Sequence, residues 1–297
     1  MSNTANALPS ASGVQAIADK RATMNTQRLL RWLSYLLTAL LVVIFLFPWL
    51  WVFTLGFKSR TEILSPQIVW IWTPTLDNLK EVLLVKGYWR LIINSLIVAV
   101  SAVGLCIIIG VPAAYAFSRF PIPGKESWFY MILTFRMAPA VILALPLYII
   151  FGRLKLLGTY FSPILAHTTF TLPFVIWLMR SFFEDIPKEI DAAAMTDGYT
   201  RFGAFYHAVL PLVKSGIVAV TLFSIIFSWN EFLYGLILTS DATRPVASQI
   251  PSLVRPHGTL WGEVCALATV ASIPVAVLIF ALQRQLVRGL SFGAVKG

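Results

Sequence analysis

Six long apolar stretches constrain this chain more than any other feature of its sequence. The first, residues 32–57, contains no charged residue and is long enough to cross a bilayer as a helix, which takes about 20 residues. The other five comprise residues 91–118, 127–152, 156–179, 215–240 and 264–283. Because backbone polar groups in lipid must be hydrogen-bonded within their own segment, each stretch is predicted to be helical. The sequence therefore predicts an all-α membrane protein with six transmembrane helices.

The composition agrees with a membrane environment and argues against nucleic-acid binding. Charged residues make up 12% of the chain and hydrophobic residues 58%, whereas soluble domains carry about a quarter charged residues. The net charge of +10 comes from basic residues that lie singly between apolar runs, a pattern that favours anionic lipid over nucleic acid. Cys106 and Cys265 fall inside apolar stretches without metal-ligand spacing, so both are predicted to be packing residues.

Prolines inside the apolar stretches predict bent helices around a cavity. Membrane helices tolerate proline because neighbouring groups satisfy the freed backbone carbonyls. The residues concerned are Pro112, Pro139, Pro146, Pro163, Pro173 and Pro274.

The N-terminal residues 1–24 are rich in Ala, Ser, Asn and Thr and are predicted to be a disordered tail. Residues 25–297 are predicted to form one transmembrane domain. The first apolar stretch is too long for the hydrophobic region of a signal peptide, so it is predicted to be an uncleaved span. A cytoplasmic N-terminus places the larger share of Lys and Arg in the cytoplasmic segments, as the positive-inside rule requires.

With this orientation, residues 180–214 form the longest cytoplasmic connection, which we call the 180–214 loop. Pro187 suits the first turn of a helix, and Gly198 suits its C-terminal end. A second helix is predicted from Thr200, with one apolar face that comprises Phe202, Phe205, Tyr206 and Val209. The pattern alone fits equally well a helix lying on lipid headgroups and a helix docking on a partner protein.

The residue identities in this loop carry a resemblance. The run Glu189-Ile-Asp-Ala-Ala-Ala-Met-Thr-Asp-Gly198, followed by Pro211 within Ala-Val-Leu-Pro-Leu, closely resembles the EAA loop of permease subunits of bacterial ATP-driven importers. Further matches follow at Leu260-Trp-Gly-Glu263, Ile273-Pro274, Gln283-Arg284, Gly289-Leu290 and Val295-Lys296-Gly297. These are similar to the C-terminal part of carbohydrate-importer permeases of the type of the smaller maltose-importer membrane subunit. The resemblance covers residues 25–297, with one departure, since Ala192 stands where the signature glutamate usually stands and Asp191 precedes it.

The resemblance implies a type I importer permease fold in the bacterial inner membrane, with a coupling helix between spans four and five. It also implies as partners a homologous second permease, two ATPase subunits that bind the ATP and Mg, and a periplasmic solute-binding protein. The substrate would be a sugar, polyol or sugar derivative, moved by alternating access, and this chain would need no cofactor. The implied ATPase-coupling residues are Glu189, Asp191, Ala193, Ala194, Asp197, Gly198, Phe202, Phe205 and Pro211.

The common catalytic signatures are missing from the sequence. The chain has no Gly-x-x-x-x-Gly-Lys-Ser/Thr phosphate loop, no His-Glu-x-x-His and no Gly-x-Ser-x-Gly, and its three histidines lie far apart in sequence. The sequence therefore predicts a transport subunit rather than an enzyme, with no catalytic residue and no metal ligand.

Arg136 and Glu231 are ionisable residues at membrane depth, where such groups usually face a cavity or a partner. Three readings stay open: a structural lock, the lining of a cavity, or an ion relay. Trp229 and Asn230 precede Glu231 in a pattern that resembles span five of carbohydrate permeases, where polar and aromatic groups suit a sugar. We therefore predict Trp229, Asn230, Glu231 and Arg136 as substrate-pathway residues. An ion-coupled carrier and a membrane scaffold remain the alternative functions, although no inverted repeat is evident.

Overall fold

The structure is a computed structural model that describes residues 11–254 and 258–291, with side chains described in 27–28, 30–254 and 258–283. The predictions for residues 1–10 and 295–297 lie outside the described residues. Throughout the described part, the regular structure is helical. The helices are α1 (Ala11–Gly56), α2 (Arg60–Ile63), α3 (Asp77–Lys80), α4 (Trp89–Arg119), α5 (Lys125–Met137), α6 (Ala140–Arg153), α7 (Phe161–Glu184), α8 (Glu189–Thr196), α9 (Arg201–Ala204), α10 (Leu210–Leu212), α11 (Lys214–Trp229), α12 (Leu233–Leu238), α13 (Val246–Gln249) and α14 (Trp261–Ser291). Two π-helical segments, Glu81–Val85 and Phe205–Val209, and one 3₁₀ segment, Ile250–Leu253, join them.

The described residues fall into two compact units, one that ends at Thr54 and one that begins at Leu55. The first unit contains helix α1 as far as Thr54. The portion Leu30–Gly56 of this helix is apolar enough to span a membrane. The helix begins at Ala11, within the segment whose composition predicts disorder. Several residues there, such as Ala16, Ala18 and Lys20, have high helix propensity, which favours extension of a helix that is already nucleated.

The described residues contain up to six spans, if each bent helix pair is counted as one span. In the part of the chain that the structure describes, four helices are long and apolar enough to cross a membrane: the portion Leu30–Gly56 of α1, α4, α7 and the portion Trp261–Gln283 of α14. The two bent pairs are Lys125–Met137 with Ala140–Arg153, and Arg201–Leu212 with Lys214–Trp229. The all-helical membrane fold predicted from the apolar stretches is therefore confirmed.

The predicted third span is two helices rather than one kinked helix. Helices α5 and α6 meet at an angle of 92°, and both Ala138 and Pro139 between them have extended ψ values of 130° and 133°. Proline disfavours the helical conformation of the residue before it and lacks the N–H that would continue the helix. The other prolines predicted to bend helices, such as Pro112, Pro146 and Pro173, lie inside continuous helices.

Helices α4, α7 and α11 pack around the main core of the second unit. Its buried side chains include Cys106 and Val111 from α4, Val175 and Met179 from α7, and Val220 from α11. Close approach of α4 and α7 depends on Gly110, because a Cβ atom there would lie 2.8 Å from Val175 Cγ1. Cys106 and Cys265 are both buried free thiols, as expected of packing residues.

The segment between α1 and α4 is tied together and to α14 by polar contacts. Ser59 and Glu62 form a capping box at the start of α2, and the hydrogen bond donated by the Ser59 backbone N–H lowers the pKa of the Glu62 carboxyl. Lys86 forms an ion pair with Glu263 in the first turn of α14. The connection is therefore an ordered structure.

Candidate functional site

The 180–214 loop contains the two helices that the sequence predicts. Helix α8 begins at Glu189, just after Pro187. At its end Gly198 has φ of +94°, a conformation that side chains with a Cβ atom rarely adopt. Thr200 then caps α9, and its hydroxyl accepts a hydrogen bond of 3.1 Å from the Gly203 backbone N–H. Local sequence chemistry therefore determines where both helices begin and end.

The apolar residues of the second helix divide into two stripes, whereas the sequence predicts one apolar face. Phe205 and Val209 are buried in the core between α4 and α7, but Phe202 is 72% exposed and Tyr206 is also exposed. Within each stripe the two residues are four positions apart, so the stripes are offset around the helix. The loop thus has one apolar stripe that packs on the chain itself and a second that faces outward.

A polar contact holds α8 against the C-terminal end of α4. Arg119 Nε lies 2.9 Å from Asp191 Oδ2, and the Tyr115 hydroxyl donates a hydrogen bond to Asp191 Oδ1. The Tyr115 ring in turn lies 4.7 Å from the Phe205 ring, centroid to centroid. Asp191 is buried and therefore faces its own chain.

The predicted coupling residues divide between a buried face and an exposed face. Asp191, Ala194 and Phe205 are buried within this chain. The exposed set comprises Glu189, Ala193, Asp197, Gly198, Phe202 and Pro211. Met195, Tyr199 and Tyr206 are also exposed and extend the exposed set with apolar area. We call these nine exposed residues the outer face of the loop.

Glu231 lies where the predicted fifth span breaks. Helix α11 ends at Trp229 and α12 begins at Leu233, and the Glu231 carboxylate accepts hydrogen bonds of 2.9–3.3 Å from the backbone N–H groups of Leu233, Tyr234 and Gly235. These are the N–H groups that the start of a helix leaves without an intrahelical partner. Glu231 Oε2 also lies 3.3 Å from His167 Nε2.

Arg136 lies in the last turn of α5, just before the break at 138–139. Its Nη1 donates a hydrogen bond of 2.9 Å to the Phe170 carbonyl, and its guanidinium lies 4.9 Å and 4.7 Å from the ring centroids of Phe174 and Phe227. No ion pair joins Arg136 and Glu231 among the described side chains. This argues against the reading in which these two residues lock each other.

Arg136 and Glu231 nevertheless line one cleft of about 180 Å³. Its polar lining also includes His167, Ser228 and Tyr234, and His167 Nδ1 lies 2.6 Å from Ser228 Oγ. We call it the polar cleft.

Trp229 and Asn230 lie on a different cleft. It measures about 350 Å³ and is bordered by α13 and the middle of α14. Trp229 is buried and donates from Nε1 to the Ala271 carbonyl at 3.2 Å, whereas Asn230 is exposed. The structure therefore brings two of the four predicted pathway residues together and separates the other two from them.

Four residues that the sequence does not predict contribute to the contact between α4 and α8 or to the polar cleft. They are Arg119, Tyr115, Ser228 and Tyr234. Each lies within or beside an apolar stretch, and the contacts join residues far apart in the sequence. His167 carried a weak signal, since a histidine in an apolar span predicts a polar contact within the bundle. No local spacing distinguishes the other four residues from ordinary packing residues.

The family model described as "Binding-protein-dependent transport system inner membrane component" matches residues 106–292. The chain belongs to this family. The match includes the 180–214 loop and both clefts, so the regions described above are parts of a permease subunit.

Relatives of this permease match it along nearly its whole length. A probable ABC transporter permease of Sinorhizobium fredii is 35% identical, over 92% of this chain and 98% of the relative. The diacetylchitobiose uptake permease DasC of Streptomyces coelicolor is 32% identical, over 86% and 95%. Among solved structures, a bacterial ABC transporter that imports the acidic polysaccharide alginate aligns with a TM-score of 0.72 at 21% identity, over 87% of this chain and 97% of that chain.

Family membership decides between the functions that the sequence left open. Members are inner-membrane components of importers that depend on binding proteins, so this permease is a transport subunit and not an enzyme. Family membership favours ATP-driven import over an ion-coupled carrier and over a scaffold without transport. Among the described residues, no group of His, Cys, Asp or Glu could hold a metal ion.

Proposed function

We propose that this permease pairs with a homologous second permease, two ATPase subunits and a periplasmic binding protein to import a sugar, polyol or sugar derivative. The observation that carries the proposal is the outer face of the 180–214 loop, where aromatic side chains are exposed on a short, locally capped helical segment. Lipid headgroups would suit an amphipathic helix rich in Lys and Arg. Helix α8 instead carries the exposed acid Glu189 in its first turn and no basic residue in its last.

The outer face has the composition of a docking surface for a partner protein. Phe202 and Tyr206 supply apolar contact area at an exposed site, and aromatic side chains are frequent anchors of protein interfaces. Ala193 and Gly198 are small, so a partner can approach the α8 backbone closely. The N-terminus is proposed to be cytoplasmic, because this orientation places the loop on the side where ATP is available.

Carbohydrate import is proposed from the chemistry of the polar cleft together with the diacetylchitobiose and alginate importers among similar proteins. Glu231 and His167 offer hydrogen-bonding groups, and Phe227 offers a ring face on which a sugar ring packs. The cleft, at about 180 Å³, is smaller than the 300–1,000 Å³ or so of most small-molecule sites. We infer that it supplies part of a pathway that the second permease completes.

The partner prediction is tested by copurification from the native membrane through a tag on this chain. We expect an ATPase and a second permease to copurify with the unchanged chain. Phe202→Ala should reduce the recovered ATPase several-fold, because it removes an exposed anchor without removing a core contact. Gly198→Asp should reduce it further, since it adds a charge and forces a side chain into a positive φ.

Phe161→Ala is the matched control, because Phe161 is 64% exposed at the other end of α7 and should leave the ATPase bound. Recovery of the ATPase at the same level with Phe202→Ala and Gly198→Asp would contradict docking on the outer face. Recovery of the chain without an ATPase under gentle detergent would contradict the proposed function itself.

The substrate prediction is tested by uptake of labelled glycans in cells that lack this chain. We expect the deletion to abolish uptake of one carbohydrate class from a panel of neutral disaccharides, amino-sugar disaccharides, polyols and uronate oligosaccharides. Amino acid uptake should be unchanged and serves as the control. Unchanged uptake of the entire panel would exclude carbohydrate import while leaving the importer assignment intact.

A further inference from the structure

The contact between Arg119, Tyr115 and Asp191 joins two parts of the chain that are distant in sequence. Helix α8 is connected covalently to α7 through residues 185–188, whereas α4 precedes it by many residues. The side chains of Arg119 and Asp191 are 8% and 12% exposed, so the ion pair is largely removed from water. Arg119 Nη2 also donates a hydrogen bond of 2.9 Å to the Ile186 carbonyl, which adds a second attachment to the segment before α8.

Asp191 lies on the side of α8 that packs against α4, where it borders a cleft of about 180 Å³ together with Met195 of the outer face. Asp191 and Ala194, three positions apart, are the buried residues of this helix, while Ala193 and Met195 are exposed. Both Asp191 carboxylate oxygens contact side chains of α4, Oδ2 with Arg119 and Oδ1 with Tyr115, so the carboxylate is engaged within its own chain. A displacement that a partner imposes on α8 passes to α7 through the covalent connection at residues 185–188, and to α4 through buried contacts.

These buried contacts differ in how they transmit a displacement. Apolar contacts such as that of Phe205 with Tyr115 are non-directional and permit sliding. A largely buried ion pair reinforced by hydrogen bonds fixes the relative positions of its groups, because separation leaves a charge without a partner in a low-dielectric site. Only the second kind of contact compels α4 to follow α8.

We propose that Arg119, Tyr115 and Asp191 form a clamp that transmits the ATP-driven displacement of α8 to the C-terminal end of α4. Asp191 is then a positioning residue, which acts through Arg119 rather than through contact with the ATPase. The inference rests on the proposed function and adds to it the route by which one spanning helix is moved. It also accounts for an acid at position 191 beside an alanine at position 192, because an inward-facing acid serves the clamp and not the interface.

The test uses the complete importer complex with a cysteine introduced at Ala116, which is half-buried on α4 one turn before Arg119. The rate of maleimide labelling is measured with and without ATP and vanadate, and the buried native cysteines provide the background. We expect labelling of the otherwise unchanged chain to depend on ATP. Asp191→Asn and Arg119→Gln should abolish this dependence while the ATPase still copurifies. Arg119→Asp combined with Asp191→Arg should restore it in part.

Asp241→Asn is the matched control, because Asp241 is 94% exposed and forms an ion pair with Arg244, three residues away. It should leave the ATP dependence unchanged. If Asp191→Asn lowers the amount of complex too far, the same measurement is made with Tyr115→Phe. This variant keeps the ring and removes the hydroxyl, and it should weaken the ATP dependence of labelling.

A full ATP dependence of labelling in these variants, or none in the unchanged chain, would overturn the clamp. Loss of the ATPase from Asp191→Asn would also overturn it, by assigning Asp191 to docking. Absence of the ATPase from the unchanged chain would instead refute the proposed function.

Discussion

Gly198 and Gly216 lie close to the same loop, but the structure requires glycine at each for a different reason. At Gly198 the requirement is the backbone conformation, because φ is +94° while a Cβ atom there would meet no other atom within 4 Å. At Gly216, which is buried on α11, the requirement is space, because a Cβ atom would lie 2.6–2.9 Å from ring atoms of Phe182. The sequence pattern identifies the first as a helix end and gives no sign of the second.

Gly216→Ala should therefore destabilise the permease. The added methyl group forces Phe182 or α11 to shift, and overpacking of this kind typically costs about 1–3 kcal/mol. We expect a lower midpoint of thermal unfolding for the detergent-solubilised chain. Gly104→Ala is the control, because a Cβ atom there meets no atom within 4 Å and alanine is the better helix former. Equal midpoints for the two variants would show that α11 and α7 do not approach as closely as described.

At the scale of elements, the two ionisable residues at membrane depth both occur at helix breaks. Arg136 is in the last turn of α5, and Glu231 lies in the gap between α11 and α12. Helix C-terminal ends carry partial negative charge and N-terminal ends partial positive charge, so the signs of both residues match their positions. A break inside an apolar stretch exposes backbone groups that lipid cannot satisfy. Glu231 compensates part of that cost by accepting hydrogen bonds from the first N–H groups of α12, whereas Arg136 donates to a carbonyl of α7.

Removal of the Glu231 carboxylate should loosen α12. Hydrogen bonds to charged groups contribute about 1.5–3 kcal/mol each, so Glu231→Ala should speed hydrogen exchange at the backbone amides of Leu233, Tyr234 and Gly235 by roughly tenfold or more. Glu231→Gln keeps one acceptor oxygen and should have a smaller effect. Thr239→Val serves as the control, because the Thr239 hydroxyl donates to the Gly235 carbonyl and its loss leaves those three N–H groups bonded. Unchanged exchange in Glu231→Ala would contradict the capping role.

At the scale of the whole molecule, large apolar side chains are exposed along the spans of the second unit. Examples are Ile108 on α4, Val141 on α6 and Phe280 on α14, with exposed fractions of 71%, 65% and 70%. Lipid tails and a second permease both suit such surfaces, because neither requires polar groups there. The proposed orientation places the 180–214 loop in the cytoplasm and the 57–88 segment in the periplasm.

Cysteine labelling tests this orientation. Gln67→Cys should react with a membrane-impermeant maleimide in spheroplasts, because Gln67 is exposed in the segment proposed to be periplasmic. Thr196→Cys, exposed at the end of α8, should react only after permeabilisation. The buried Cys106 and Cys265 should leave little background. The opposite labelling pattern would place the N-terminus outside.

The sequence by itself determined the features that depend on local chemistry. Apolar length specifies the spans, since about 20 residues are needed to cross lipid, and residues such as Pro187, Gly198 and Thr200 specify the ends of the short helices. The tertiary structure alone decided which face of α8 is buried, that Asp191 pairs with Arg119, and that Trp229 and Arg136 line different clefts. It also decided that the chain breaks at Pro139 and stays helical at Pro112. Local preferences act over one helical turn, whereas these outcomes depend on which helices pack together, and only the folded chain brings those distant side chains within contact distance.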